Sequence, residues 1–67
     1  MTMKRQVDIY RKDQRDRVLW TYIVELGGNG FHPSLSDFKD EALTLAGIDD
    51  HGPIEELDAL VHLEILK

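Results

Sequence analysis

The chain has 67 residues, a net charge of −5, 42% apolar and 31% charged residues, and no cysteine. A chain this short buries only about 60% of the surface its unfolded form exposes, so it can build one small core and gains from a partner subunit. The absence of cysteine excludes disulfides, thiolate metal sites and a cysteine nucleophile.

The charge is divided along the chain. Residues 1–17 hold six basic groups against Asp8, Asp13 and Asp16, a net +3, whereas residues 18–67 hold two lysines against ten carboxylates, a net −8. The start "MTMKRQVDIY" has no apolar h-region, and no apolar run nears the roughly 18 residues of a membrane span. Neither an export signal nor a membrane segment is expected, and a cytoplasmic location is.

In "QVDIYR", Val7 and Ile9 share one face and Asp8 and Tyr10 the other, which predicts a strand. The next stretch, "KDQRD", contains no Asn-Gly or Asp-Gly pair. It therefore predicts a loop of about four or five residues around a type I turn, with Asp13 as acceptor, rather than a tight two-residue connection. "RVLWTYIVEL", Arg17 to Leu26, is dense in β-branched and aromatic side chains. Read as a strand, it puts Val18, Trp20, Tyr22, Val24 and Leu26 on one face and Leu19, Thr21, Ile23 and Glu25 on the other. Trp20 and Tyr22 are expected in the core.

"GGNG" breaks the pattern, and a helix is expected over residues 35–46. Ser34 and Asp37 have capping-box spacing, and Leu35, Phe38, Ala42, Leu45 and Ala46 make an apolar stripe. Gly47 is expected to end this helix in a left-handed conformation, with Ile48 folding back on Ala42 or Leu43. Pro53, followed by Glu55 and Glu56, reads as the start of a second helix over 53–66, with Ile54, Leu57, Leu60, Val61 and Ile65 on one face. The tail "VHLEILK" alternates almost as well as a strand.

The expected fold is α+β: one domain over 1–67, a ββαα arrangement in which a hairpin (about 6–26) is covered on one face by two helices. The alternative is ββαβ, with residues 61–66 as a third strand. A two-stranded hairpin is marginal alone, and a long, flat, apolar second strand without a proline or bulge signal leaves an open edge.

These features favour a non-catalytic protein that binds another protein, most simply a second copy of itself. Tyr10, Leu19 and Ile23 would form the contact beside the edge of the second strand, with Arg11, Lys12, Arg15 and Arg17 setting orientation. A second reading is an acidic inhibitor or nucleic-acid mimic of the kind mobile elements encode, acting through carboxylates such as Asp40, Glu41, Asp49 and Asp50. A third is weak nucleic-acid binding by the basic hairpin tip, which Asp13 and Asp16 interrupt and the overall acidity opposes. His32, Asp49–His51 and His62 match no metal-site spacing, and Ser34 lies in no nucleophile elbow. No metal, cofactor, small-molecule substrate or enzymatic activity is expected.

Overall fold

In the computed structural model, which describes residues 2–66, the elements run β1 (Thr2–Arg11), β2 (Gln14–Gly27), α1 (Leu35–Ile48), a 3-10 turn (Ile54–Glu56) and β3 (Leu57–Leu66). The three strands form one antiparallel sheet in the order β2-β1-β3. The α+β class holds, but the second helix does not.

Pro53 leads only the three 3-10 residues, and the chain is extended from Leu57 onward. Strand pairing overrides the helical spacing because Leu57, Ala59 and Val61 fall opposite Arg11, Ile9 and Val7 on β1. Leu57 and Ala59 are thereby buried. A helix over 53–66 would have left β1 with an open side and set Glu64 in an apolar stripe. The third strand also begins four residues earlier than the 61–66 alternative.

Strand β1 is the spine of the sheet. Its odd positions face α1, and Val7 and Ile9 are fully buried there with Val24, Phe38, Ala42, Ala46, Leu57 and Ala59. Burying a side chain the size of Ile9 or Leu57 contributes about 1.5–3 kcal/mol. Among the described residues no helix lies on the opposite face of the sheet.

Helix α1 begins as expected. The Ser34 hydroxyl accepts from the Asp37 amide at 3.3 Å, and the Asp37 carboxylate accepts from the Ser34 amide at 2.8 Å. Its end differs. Gly47 is helical, the C-cap is Asp49, and Asp50, at φ 60°, is the residue in the left-handed region. Ile48 does not fold back; it is 73% exposed. Gly47 instead packs closely against the 3-10 turn: a Cβ there would meet Ile54 Cδ1 at 2.8 Å, so that side chain would have to shift.

The hairpin turn is tighter than expected. Arg11 pairs with Gln14 across Lys12 and Asp13, neither of which has positive φ. Turns of that hand splay the strands, and β2 absorbs the misfit with extra residues. Tyr10 pairs with Val18 and Ile9 with Trp20, so Arg15–Arg17 and Leu19 have no counterpart on β1. The expectation of a flat second strand is corrected by these bulges, which add local twist.

Candidate functional site

Among the described residues, the order β2-β1-β3 gives β2 a neighbour on one side only. From Trp20 to Gly27 the strand pairs with β1 without a register shift, so its outer rim is a continuous row of backbone donors and acceptors. Val18 (53%), Trp20 (52%) and Ile23 (56%) are all strongly exposed along this strand. By register, Trp20 lies on the helix face, whereas Val18 and Ile23 lie on the open face. A strand laid along this rim would therefore cover apolar surface above and below the sheet.

The other edge, β3, is less regular. Arg5 pairs with Ile65 and Val7 with Val61, which makes a bulge at residues 62–64. The Arg5 guanidinium donates to the carbonyls of His62 and Leu63. Near the start of β3, Asp58 is ion-paired to Lys39 of α1 at 2.8 Å and to Arg15 at 3.5 Å. Bulges and charges of this kind blunt an edge.

An aromatic cluster sits beside the β2 rim. Trp20 stacks on His51, with ring centroids 5.3 Å apart and planes inclined by 26°, and Tyr22 meets His51 edge-on at 6.2 Å. The Tyr22 hydroxyl donates to Asp49 at 2.5 Å. Partial burial, and then the neighbouring Asp49 carboxylate, push the Tyr22 phenol up to about 12. Placing Trp20 and Tyr22 in the core is thus half right: they share the core face with Val24, but only one helix covers it. Tyr22 is half-buried and Trp20 remains exposed.

The expected contact residues do not form one patch. Ile23 pairs with Gln6, four positions along β1 from Tyr10, and Asp8 and Thr21 lie between them. Leu19 packs against the core from the bulge instead of facing outward with Ile23. Tyr10 is half-buried and carries the Arg15 side chain over its ring.

The basic tip is largely spent within the molecule. Arg11 is ion-paired with Asp13 and Glu56, Lys12 donates to the Glu55 carbonyl, and Arg15 donates to the Tyr10 hydroxyl and pairs with Asp58. Arg17 makes no ion pair or side-chain hydrogen bond among the described residues. The acidic groups are partly spent as well, because Asp37 caps α1 and Asp58 is doubly paired.

The sequence did not single out a polar network on the open face. Asp8 accepts from Thr21 at 2.8 Å and from Gln6 at 3.2 Å, and lies 2.7 Å from His62 Nε2. Burial pulls this carboxyl upward, but the hydrogen bonds from His62, Thr21 and Gln6 outweigh it and hold it below the usual range. Alternation along β1 and β3 implied that Asp8 and His62 both avoid the core, but only the pairing of the two strands brings them together. No group of three His, Asp or Glu side chains among the described residues is placed to hold a metal ion. No described helix is long and apolar enough to cross a membrane. Comparison of the chain with family models, with curated proteins and with solved structures finds no match.

Proposed function

We propose that this protein is a protein-protein interaction module that self-associates through the outer edge of β2. The observation that supports this reading most strongly is the uninterrupted rim from Trp20 to Gly27, unpaired on its outer side and lined by exposed Trp20 and Ile23 on opposite faces. Pairing through backbone hydrogen bonds gives such an edge affinity, and the alternating side chains give it specificity. A second copy is the simplest partner because a small sheet extended from three strands to six shelters two rims at once. The work of the site is recognition rather than chemistry.

Trp20 is the chain's only tryptophan and lies on this edge. Sedimentation velocity across a concentration series, with Trp20 emission followed in parallel, tests the proposal. Self-association through β2 shifts the emission to the blue as dimer forms, and Ile23→Lys leaves a folded monomer. A chain that stays monomeric at several hundred micromolar rejects the proposal. A dimer that Ile23→Lys leaves intact but Leu60→Lys or Leu63→Lys disrupts assigns the interface to β3 and rejects the β2 edge.

A further inference from the structure

We infer that the groove at the end of α1 docks another protein, and that its occupant is an exposed segment in which lysine or arginine flanks an aliphatic side chain. The site is separate from the β2 edge and does not depend on pairing there. It runs between the last turn of α1 and the 3-10 turn, where Ile48, Pro53 and Ile54 supply apolar surface and Asp50 and Glu55 supply charge. Ile48 is 73% exposed and Ile54 46%. Contiguous apolar surface rimmed by charge marks an interaction site.

Charge decides what covers this groove. Among the described residues, Asp50 and Glu55 are the only charged side chains that line it, and neither makes an ion pair. Lys12 reaches the backbone carbonyl of Glu55 and not its carboxylate. The α1 dipole adds to the same field. Carbonyls at a helix C-terminus carry partial negative charge and favour cations, yet α1 has no basic residue in its last turn and is followed directly by Asp49 and Asp50. Asp49 is occupied by the Tyr22 hydroxyl. Asp50 has no such partner, and it sits at φ 60°, where glycine or asparagine would serve the turn without adding a charge. A carboxylate held there works against the fold and favours a cation from outside. An ammonium or guanidinium would meet Asp50, Glu55 and the helix end, while the aliphatic side chain beside it covers Ile48 and Ile54. The net −8 over residues 18–67 draws such a segment in from a distance. The chain's own hairpin tip is a poor occupant, because Arg11, Lys12 and Arg15 are already engaged within their own chain.

Three short capped peptides test the site by calorimetry and amide chemical shifts: one alternating lysine and leucine, one of lysine alone with the same charge, and one alternating glutamate and leucine. The lysine–leucine peptide should bind one to one, with shifts centred on residues 44–55. The all-lysine peptide should bind about tenfold more weakly, because it leaves Ile48 and Ile54 uncovered. The glutamate–leucine peptide should not bind. Ile48→Ser should weaken the lysine–leucine peptide about tenfold, and Asp50→Asn combined with Glu55→Gln about fivefold, with circular dichroism confirming that each variant is folded. Asp50→Asn alone should raise the thermal midpoint, since it removes like charge from the negative end of α1. Equal binding of the two lysine-containing peptides would leave only diffuse acidity, and no binding of the lysine–leucine peptide would leave no site; either result overturns the proposal. A lowered midpoint in Asp50→Asn does so too, because that carboxylate would then serve the fold. Sedimentation without peptide covers the remaining occupant: a dimer that Ile48→Ser dissociates would put a second copy in the groove and overturn its assignment to another protein.

Discussion

The Tyr22 hydroxyl donates to the Asp49 carboxylate across 2.5 Å, and this bond ties the edge strand β2 to the turn that closes α1. Its phenol is pushed up to about 12, first by partial burial and then by the adjacent carboxylate. An unfolded tyrosine ionises near pH ~10. The folded value is the higher one, so the stabilisation from this contact is complete below about pH 10 and is lost as pH rises from there toward 12. Absorbance at 295 nm should show a phenol titrating near pH 12 that disappears in Tyr22→Phe and moves to lower pH in Asp49→Asn. If Asp49→Asn leaves the titration where it was, the carboxylate is not what holds the proton.

Gly47 makes a second prediction, with two opposed effects. Glycine inside a helix costs about 0.8–1 kcal/mol relative to alanine, so Gly47→Ala would ordinarily stabilise the fold. Here the new Cβ would meet Ile54 Cδ1 at 2.8 Å and Cγ1 at 2.9 Å. Cγ1 lies close to the backbone of the 3-10 turn and yields less easily than a side-chain tip. Gly47→Ala alone should therefore destabilise by about 1 kcal/mol. In an Ile54→Ala background the same change should stabilise by about 0.5–1 kcal/mol. Urea unfolding of the four chains of this double-mutant cycle measures both signs. Additive effects would show that the close approach is not what keeps a glycine at 47.

How much of this was legible in the sequence depends on how local each signal is. The capping box at Ser34 and Asp37 and the stripe of Phe38, Ala42 and Ala46 depend on neighbours within one helix, and both are present in the structure. The strand from Arg17 to Leu26 was equally plain in its composition. Residues 61–66 were ambiguous because "VHLEILK" alternates while Ile54, Leu57 and Val61 keep helical spacing, and the start of the strand at Leu57 was read as helix. Only the demand of β1 for a second neighbour decides between them, and no local window contains it. The same holds for the bulge at Leu19, which moved that residue from the predicted contact surface to the core, and for Arg11 and Arg15, whose partners Glu56 and Asp58 lie more than 40 residues along the chain. The exposed rim of β2 was readable in outline. Its placement opposite β3, across β1, was not.

Acid should destabilise the fold through Asp8 and Asp58. A hydrogen bond from Lys39 holds the Asp58 carboxyl below the usual range against the opposing effect of burial. At Asp8 burial is the largest influence, but the hydrogen bonds from His62, Thr21 and Gln6 together exceed it. Both folded values lie below the value near 3.9 of an unfolded aspartate. The stabilisation is therefore present above about pH 4 and is lost as pH falls through the lower folded values. Thermal melts between pH 6 and 2 should show the midpoint falling below about pH 4, with a shallower fall in Asp8→Asn and in Asp58→Asn. A slope unchanged in both variants would mean that other carboxylates carry the acid response.

The last prediction concerns Arg5, which joins the core to the irregular edge strand. Its guanidinium lies 5.5 Å from the centre of the buried Phe38 ring and donates to the carbonyls of His62, at 3.3 Å, and of Leu63. Those carbonyls belong to the bulge that interrupts the pairing of β1 with β3, so the arginine supplies donors where the sheet cannot. Both bonds come from Nη1, which the flat guanidinium presents to the carbonyls while lying over the ring, whereas the compact ammonium of lysine has no flat face to stack. Arg5→Lys should therefore cost about 1–2 kcal/mol, and Arg5→Met should keep packing on Phe38 while still losing both bonds. The loss should be local: amide exchange over residues 62–66 accelerates at least tenfold, while the pairing of β1 with β2 from Thr2 to Ile9 stays protected. Uniform acceleration across all three strands in both variants would show that Arg5 supports the whole core and not the bulge.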